Sequence, residues 1–178
     1  MRRLLLLPVL AGIALLLPAL TLTGGAATAA EAGERGSDDR ACRGVIRGAV
    51  DDDVVVPAGA TCRLVGTRVD GDVKVRQGAR LVVKGADIEG NIQSASAKRV
   101  VVRGARVDGN IQLKKTRTGG VVRGSAVNGD IQISGSKGRF RIVDNVVDGN
   151  LQCQGNRPAP QGGRNVVDGN KEGQCRRL

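Results

Sequence analysis

Acidic and amide side chains recur along this chain at a nearly fixed interval, and they are the residues best suited to chemistry. They flank a repeated glycine on either side: Asp70, Asp72, Glu89, Asn91, Asp108, Asn110, Asp130, Asp148 and Asn150. Stacked oxygen ligands of this kind could attract calcium, and paired carboxylates could act as general acid and base. The sequence has no clustered loop of calcium ligands, and it has no histidine to activate a nucleophile. We therefore predict a solvated candidate binding face, with no catalytic residue, metal or cofactor.

The four cysteines form two pairs with a spacing that resembles the interval of the carboxylates. Cys42 and Cys62 are separated by about one repeat, and so are Cys153 and Cys175. Three connectivities are possible, but two of them would join opposite ends of a stack of repeats, beyond the reach of a disulfide. We predict the bridges Cys42–Cys62 and Cys153–Cys175, and we disfavour a metal site because the chain lacks a CxxC motif.

A repeat of 19 or 20 residues must position all of these side chains. Its copies read VDGDV at 69–73, IEGNI at 88–92, VDGNI at 107–111, VNGDI at 127–131, VDGNL at 147–151 and VDGNK at 167–171, with a degenerate first copy at 50–54. A unit this short cannot bury a core alone, so it must stack on its neighbours.

Apolar residues alternate with polar ones through each copy, as expected for a half-buried strand that runs from Val107 to Leu113. A second strand precedes it, and a column of glycines at Gly66, Gly85 and Gly104 predicts corners between the two. The sequence therefore predicts an all-β, single-domain parallel β-helix, or β-solenoid, of about seven rungs. Parallel crossovers favour a right-handed coil.

The N-terminal residues predict export. Two arginines precede a leucine-rich stretch that Pro8 and Pro18 interrupt, and small residues suited to signal peptidase follow. We assign residues 1–30 to a signal peptide, 31–41 to a flexible polar linker and 42–178 to the solenoid. The mature chain is expected to be secreted and extracellular, without a transmembrane segment.

The charge balance is strongly basic, with 28 Lys and Arg against 17 Asp and Glu. Phe140 is the single aromatic residue, so the base-stacking platform of single-strand binding proteins is missing and we predict no specific nucleic-acid partner. Lys84, Arg103 and Arg123 form a short basic column that could hold a phosphate or an anionic sugar. A solvated edge is the favoured interpretation of this column.

The C-terminal run NVVDGNLQCQGNRPAPQGGRNVVDGNKEGQC, residues 145–175, resembles a family of small secreted repeat proteins of high-GC Gram-positive bacteria. That resemblance implies the repeat fold and export, and it brings no activity with it. The xGDI and xGNI copies are more distantly similar to the bactofilins, polymer-forming cytoskeletal β-helices. Bactofilins are cytoplasmic and lack cysteines.

Three functions are compatible with these observations. We favour a secreted, non-catalytic structural or adhesion module that presents flat Asp-, Asn- and Gln-rich faces to a cell-wall or extracellular polysaccharide, and we expect a monomer. The alternatives are a bactofilin-like filament and a carbohydrate-active β-helix enzyme. Short connections and nearly uniform repeats argue against an enzyme, whose cleft would need longer loops.

Overall fold

The computed structural model describes residues 39–178. Within these residues all of the regular secondary structure consists of β-strands, which short turns connect. In chain order these are β1 (Arg40–Ala41), β2 (Val45–Val50), β3 (Val54–Val56), β4 (Thr61–Val69), β5 (Val73–Val75), β6 (Arg80–Lys84), β7 (Asp87–Ile88), β8 (Ile92–Ala95), β9 (Arg99–Arg103), β10 (Arg106–Val107), β11 (Ile111–Lys114), β12 (Gly120–Arg123), β13 (Ala126–Val127), β14 (Ile131–Ser134), β15 (Phe140–Val143), β16 (Val146–Val147), β17 (Leu151–Gln154), β18 (Gln161–Gly163), β19 (Val166–Val167) and β20 (Lys171–Gly173). The predicted signal peptide and most of the predicted linker lie outside the described residues. β1 occupies the last two positions assigned to that linker.

The strands stack in parallel into two sheets. The eight-stranded sheet has the order β1-β3-β5-β8-β11-β14-β17-β20. The twelve-stranded sheet has the order β18-β15-β12-β9-β6-β4-β7-β10-β13-β16-β19, and β2 pairs with β4. Neighbouring strands come from consecutive repeats, as when Ile111 pairs with Ile92 on one side and Ile131 on the other. The predicted all-β, single-domain parallel solenoid of about seven turns is confirmed.

Each turn contributes three strands, so the solenoid has three sides. The first face is the eight-stranded sheet. The second face consists of residues 45–46 of β2 and residues 61–65 of β4 with β6, β9, β12, β15 and β18. The third face consists of residues 68–69 of β4 with β7, β10, β13, β16 and β19. Strand β4 belongs to two faces because it continues through the corner between them. In every later turn that corner separates two strands, such as β6 and β7.

The core is a set of stacked aliphatic columns rather than a mixed interior. Ile92, Ile111, Ile131 and Leu151 lie above one another and are fully buried. Aliphatic side chains suit such stacking, and the β-branched isoleucines of this column pack well on a pleated surface. The one aromatic side chain, Phe140, is also buried.

Phe140 fits because the residue paired with it in the preceding turn is a glycine. A Cβ atom built on Gly120 would lie 2.8 Å from Cε1 of the Phe140 ring. Large and small side chains therefore compensate across two turns, as close packing requires.

The predicted corner glycines separate the second face from the third. Gly66, Gly85, Gly104 and Gly124 have φ between 54° and 57°, which confirms the expected left-handed corner. Asp144 and Arg164 continue the column with φ of 57° and 55°. Non-glycine residues fit there because a Cβ built on the column's glycines meets nothing within 4 Å.

The prediction of one continuous strand through each repeat motif is wrong. β10 ends at Val107 and β11 begins at Ile111, so the intervening DGN segment turns the corner from the third face to the first. The repeat glycine lets consecutive turns approach closely at this corner, and Nδ2 of Asn110 donates to Oδ1 of Asn91 in the preceding turn at 3.0 Å. Val107 and Ile111 are buried on either side of the bend, at the positions that an alternating strand would bury, which explains why the sequence pattern mimics a strand.

Both predicted disulfides are present, with Cα–Cα distances of 5.4 Å for Cys42–Cys62 and 5.1 Å for Cys153–Cys175. Each ties neighbouring turns at one end of the described stack. At the C-terminal end, Nζ of Lys171 donates to the carbonyl of Asn165 at 2.8 Å, and Leu178 packs against the core. Residues 39–178 include no helix that is long and apolar enough to cross a membrane.

Candidate functional site

The residues that follow the repeat glycine form a hydrogen-bonded ladder along one corner of the solenoid. Oδ1 of Asn91 accepts the backbone N–H of Asn110 at 2.8 Å, and Oδ1 of Asn110 accepts that of Asp130 at 2.7 Å. Oδ1 of Asp130 accepts that of Asn150 at 2.7 Å. Asp and Asn are interchangeable here because each presents an acceptor oxygen to the next turn.

The repeat glycine makes this ladder possible by letting consecutive turns approach closely. A Cβ built on Gly109 would lie 2.6 Å from Oδ1 of Asn91 and 2.7 Å from the carbonyl oxygen of Gly90. The repeat glycines 71, 90, 109, 129, 149 and 169 meet similar obstacles. Glycine is required at these positions because a Cβ atom would clash with the preceding turn. Backbone conformation is not the reason, since none of these glycines has a positive φ.

This ladder divides the candidate binding face into two halves. The first half is half-buried, and the Oδ1 of each of its residues accepts a backbone N–H of the next turn. Its members are Asp72, Asn91, Asn110, Asp130 and Asn150. Asp70, Glu89, Asp108 and Asp148 remain exposed on the neighbouring column. The first half holds the turns together, whereas the carboxylates of the second half point into solvent, where a partner could reach them.

Three of the four exposed carboxylates face arginines of the same chain. Nε of Arg68 donates to Asp70 at 3.0 Å, and the same guanidinium contacts Glu89 in the next turn. Arg106 donates to Asp108 at 3.3 Å. These pairs are largely exposed, so they stabilise the fold little. They offset the charge of Asp70, Glu89 and Asp108, whereas Asp148 has no basic partner within 4 Å among the described residues.

The outward positions of the second face carry a different pattern, one of many cations and hardly any anions. The exposed cations are Arg63, Arg80, Lys84, Arg99, Arg103, Arg123, Arg139 and Arg141. Within residues 39–178 only Arg123 of this set lies within 4 Å of a carboxylate, with its Nε 3.7 Å from Asp144. The predicted short basic column is therefore one edge of a larger basic face, which the sequence analysis did not identify.

Two carboxyl groups at the margins of these faces have lowered pKa values. A hydrogen bond from Lys74 holds the pKa of Asp53 below its ordinary value, although burial opposes the shift. A hydrogen bond from Arg164 likewise lowers the pKa of Asp144, to which Arg164 donates at 2.6 and 3.0 Å. Both carboxylates are ionised at neutral pH and act as fixed anions within ion pairs, and neither has the raised pKa of a general acid.

Two further ladders run through the buried corners. In one of them, Oδ1 of Asn165 accepts the backbone N–H of Asn145 at 3.1 Å, and Oδ1 of Asn145 accepts that of Ser125 at 3.1 Å. In the other, Oδ1 of Asn156 accepts the N–H of Ser136 at 3.0 Å, and the sequence analysis did not identify it. The signal for it was the series Thr116, Ser136 and Asn156 at an interval of 20 residues.

In residues 39–178 no group of three or more His, Cys, Asp or Glu side chains is placed to hold a metal ion. Comparison of the chain with protein-family models, with curated proteins and with solved structures found no significant match. The function is therefore inferred from the surface of the solenoid alone.

Proposed function

We propose that this protein is a secreted, non-catalytic structural or binding module that lays a flat side of the solenoid against a cell-wall or extracellular polymer. One observation carries the proposal: the turns follow one another without an inserted loop. The longest connection between strands in the described chain covers only residues 155–160. Three flat, repetitive faces suit contact with a repetitive polymer, whereas a small-molecule site or an active site would need a deep cleft.

The cysteines support the extracellular part of this proposal. Both pairs are oxidised and the described chain contains no free cysteine. Disulfides of this structural kind persist in oxidising compartments and are rare in the cytosol. The predicted signal peptide at residues 1–30 agrees with that assignment.

Co-sedimentation tests the proposal directly. Oxidised protein beginning near residue 31 is mixed with insoluble wall material and with soluble glycans, and the supernatant is assayed for released sugar. We expect the protein to sediment with the polymer and to release nothing. Failure to bind any polymer would contradict a binding role.

Two other outcomes would favour the alternative functions. Sugar release that is abolished by replacing Asp108 and Asp148 with Asn would indicate an enzyme. Large, concentration-dependent assemblies in size-exclusion chromatography of the oxidised protein would indicate a filament-forming protein, because the module proposed here is a discrete rod.

A further inference from the structure

The second face carries a stripe of valines between two rows of basic side chains, and we call this arrangement the groove, with the valines as its floor and the cations as its walls. Val82, Val101 and Val121 pair in consecutive turns and point outward along the middle of the face. Arg80 and Arg99 lie on one side of this stripe, in paired positions of β6 and β9. Lys84, Arg103 and Arg123 lie on the other side, also in register; Arg63 and Arg141 close the two ends of the stripe.

We propose that this groove binds a linear anionic polysaccharide of the polyuronate type, which carries one carboxylate on each sugar. The inference rests on the proposed function and names the face and the class of polymer. Cations within one wall repeat at the strand spacing of about 4.8 Å, which is comparable to the length of one sugar residue in an extended chain. A polymer lying along the solenoid axis would place successive carboxylates beside successive cations.

The chemistry of the walls suits carboxylates. Seven of the eight exposed cations on this face are arginines, with Lys84 the exception. The planar guanidinium donates two parallel hydrogen bonds to a carboxylate, which an ammonium group does not do. Stacked like charges repel one another, so an anion bound between them relieves an unfavourable interaction that the folded chain otherwise retains.

Other occupants fit this groove less well. Single-stranded nucleic acid needs aromatic platforms, and Phe140 is buried. A membrane surface favours large apolar anchors, but Val146 and Val166 lie on the third face, and Val45, which pairs with Arg63 beyond the end of the stripe, is the one exposed large apolar side chain of the described chain on this side. A second copy of the chain would have to offer its acidic column, three of whose four carboxylates already face Arg68 and Arg106.

The test compares two triple variants of equal net charge. The first, Arg80→Gln with Arg99→Gln and Arg103→Gln, removes cations from the groove. The matched control, Arg68→Gln with Arg106→Gln and Arg164→Gln, removes cations that already contact carboxylates of the chain. Affinity for labelled polygalacturonate is measured by fluorescence anisotropy near physiological ionic strength, and thermal unfolding verifies that all proteins are folded.

We expect the groove variant to lose affinity by about tenfold or more and the control to lose less than about threefold. Methyl-esterified polygalacturonate, which has the same backbone without the charges, should bind neither the wild type nor the variants. Equal losses in both triple variants, or equal binding of the ester, would overturn the proposal. Tighter binding of a short DNA duplex than of polygalacturonate at equal charge concentration would also overturn it.

Wall binding separates this inference from the proposed function. If the wild type sediments with wall material but neither the groove variant nor added polygalacturonate changes that, the groove assignment fails and the binding module stands. If the wild type binds polygalacturonate in the groove but no insoluble polymer sediments it, the proposed contact with wall material fails and the groove assignment stands.

Discussion

Ser94 shows how strongly stacking dominates over the chemistry of single side chains in this protein. It points into the core between Val75 and Leu113 of the neighbouring turns, and its Oγ has no hydrogen-bond partner among the described residues. A buried hydroxyl without a partner loses its hydration and gains nothing in return. Serine is tolerated at this position because strand pairing with the turns of Val75 and Leu113 holds β8 in register.

Replacing Ser94 with Ala should therefore stabilise the protein by about 1 kcal/mol. The matched control is Ser125→Ala, because Oγ of Ser125 accepts the N–H of Ala105 at 3.3 Å and donates to the carbonyl of Arg123 at 3.1 Å. That change should destabilise by about 1–2 kcal/mol. Urea unfolding of the three proteins measures both values, and a destabilised Ser94→Ala would mean that its hydroxyl has a partner after all.

Asp130 provides a second prediction at the scale of one residue. The backbone N–H of Asn150 lowers its pKa, against the effect of burial. Since the folded pKa is lower than the unfolded one, this stabilisation is present above pH 4 and is lost as the pH falls through the folded value. Asp130→Asn keeps the acceptor oxygen, as Asn110 does one turn earlier, but it takes up no proton.

We expect Asp130→Asn to match the wild type at pH 7 within about 1 kcal/mol and to lose less stability below about pH 4. Asp130→Ala leaves the N–H of Asn150 without its acceptor and should cost about 1–3 kcal/mol at pH 7. Urea titrations at several pH values test both expectations. Identical acid dependence in the wild type and the Asn variant would show that Asp130 does not contribute to it.

The two columns of glycine make different demands on the chain. Gly109, in the corner that carries the Asp and Asn ladder, leaves no room for a Cβ beside Asn91 and Gly90. Gly104, in the corner between the second and third faces, has open space around it and a φ of 55°. One column is required by packing and the other by backbone conformation.

Gly109→Ala should consequently destabilise by several kcal/mol, because the contact is with backbone and a short side chain that cannot move aside. Gly104→Ala should cost only about 1 kcal/mol, the price of a left-handed alanine. Thermal and urea unfolding compare the pair directly. Equal losses would show that the turns at Gly109 can separate slightly to admit a methyl group.

Repetition explains which elements could be predicted from the sequence. The stacked turns, the corner at Gly66 and Gly85 and both disulfides follow from a constant interval, because residues one interval apart must be neighbours in a solenoid. The bend at Asp108–Asn110 does not follow, since an alternating pattern is the same for a strand and for this corner. The pairing of Gly120 with Phe140 was not predicted either, because both residues depart from the aliphatic pattern of the repeat.

The candidate site was predictable only in part for a related reason. Asp72 and Asn91 could be placed in one column, but their oxygens are committed to the next turn, and only coordinates reveal that. The basic face required knowledge of which strand positions share a side, because Arg63, Arg80 and Arg99 do not belong to the conspicuous repeat motif. Lys84, Arg103 and Arg123 were recognised because each directly precedes a corner glycine.

Across the whole molecule, the disulfides should contribute more to stability than any single side chain. Each closes a loop of about one turn, with sequence separations of 20 and 22 residues. Cys42→Ser combined with Cys62→Ser should lower the unfolding free energy by about 3 kcal/mol, since the unfolded chain regains the entropy of that loop. Urea unfolding measures the loss, and hydrogen exchange should show it concentrated in the first two turns.

A control for that variant is reduction of the wild type, which opens both loops. Reduction should lower the unfolding free energy by more than the double replacement does. If the double replacement left the unfolding free energy unchanged, the first turn would be held by strand pairing alone.

The bridged ends also determine how the rod would respond to tension. A stack of parallel turns pulled from its termini peels from the ends inward, because each outer turn has a neighbour on only one side. Here the outermost turns are covalently looped, so the pulling force bypasses them and first reaches the turns between Cys62 and Cys153. At about 3.5 Å per residue, the loops keep on the order of 14 nm of chain out of reach until a reductant opens them. A rod anchored at one terminus would thus be a tether whose extensibility depends on its redox surroundings.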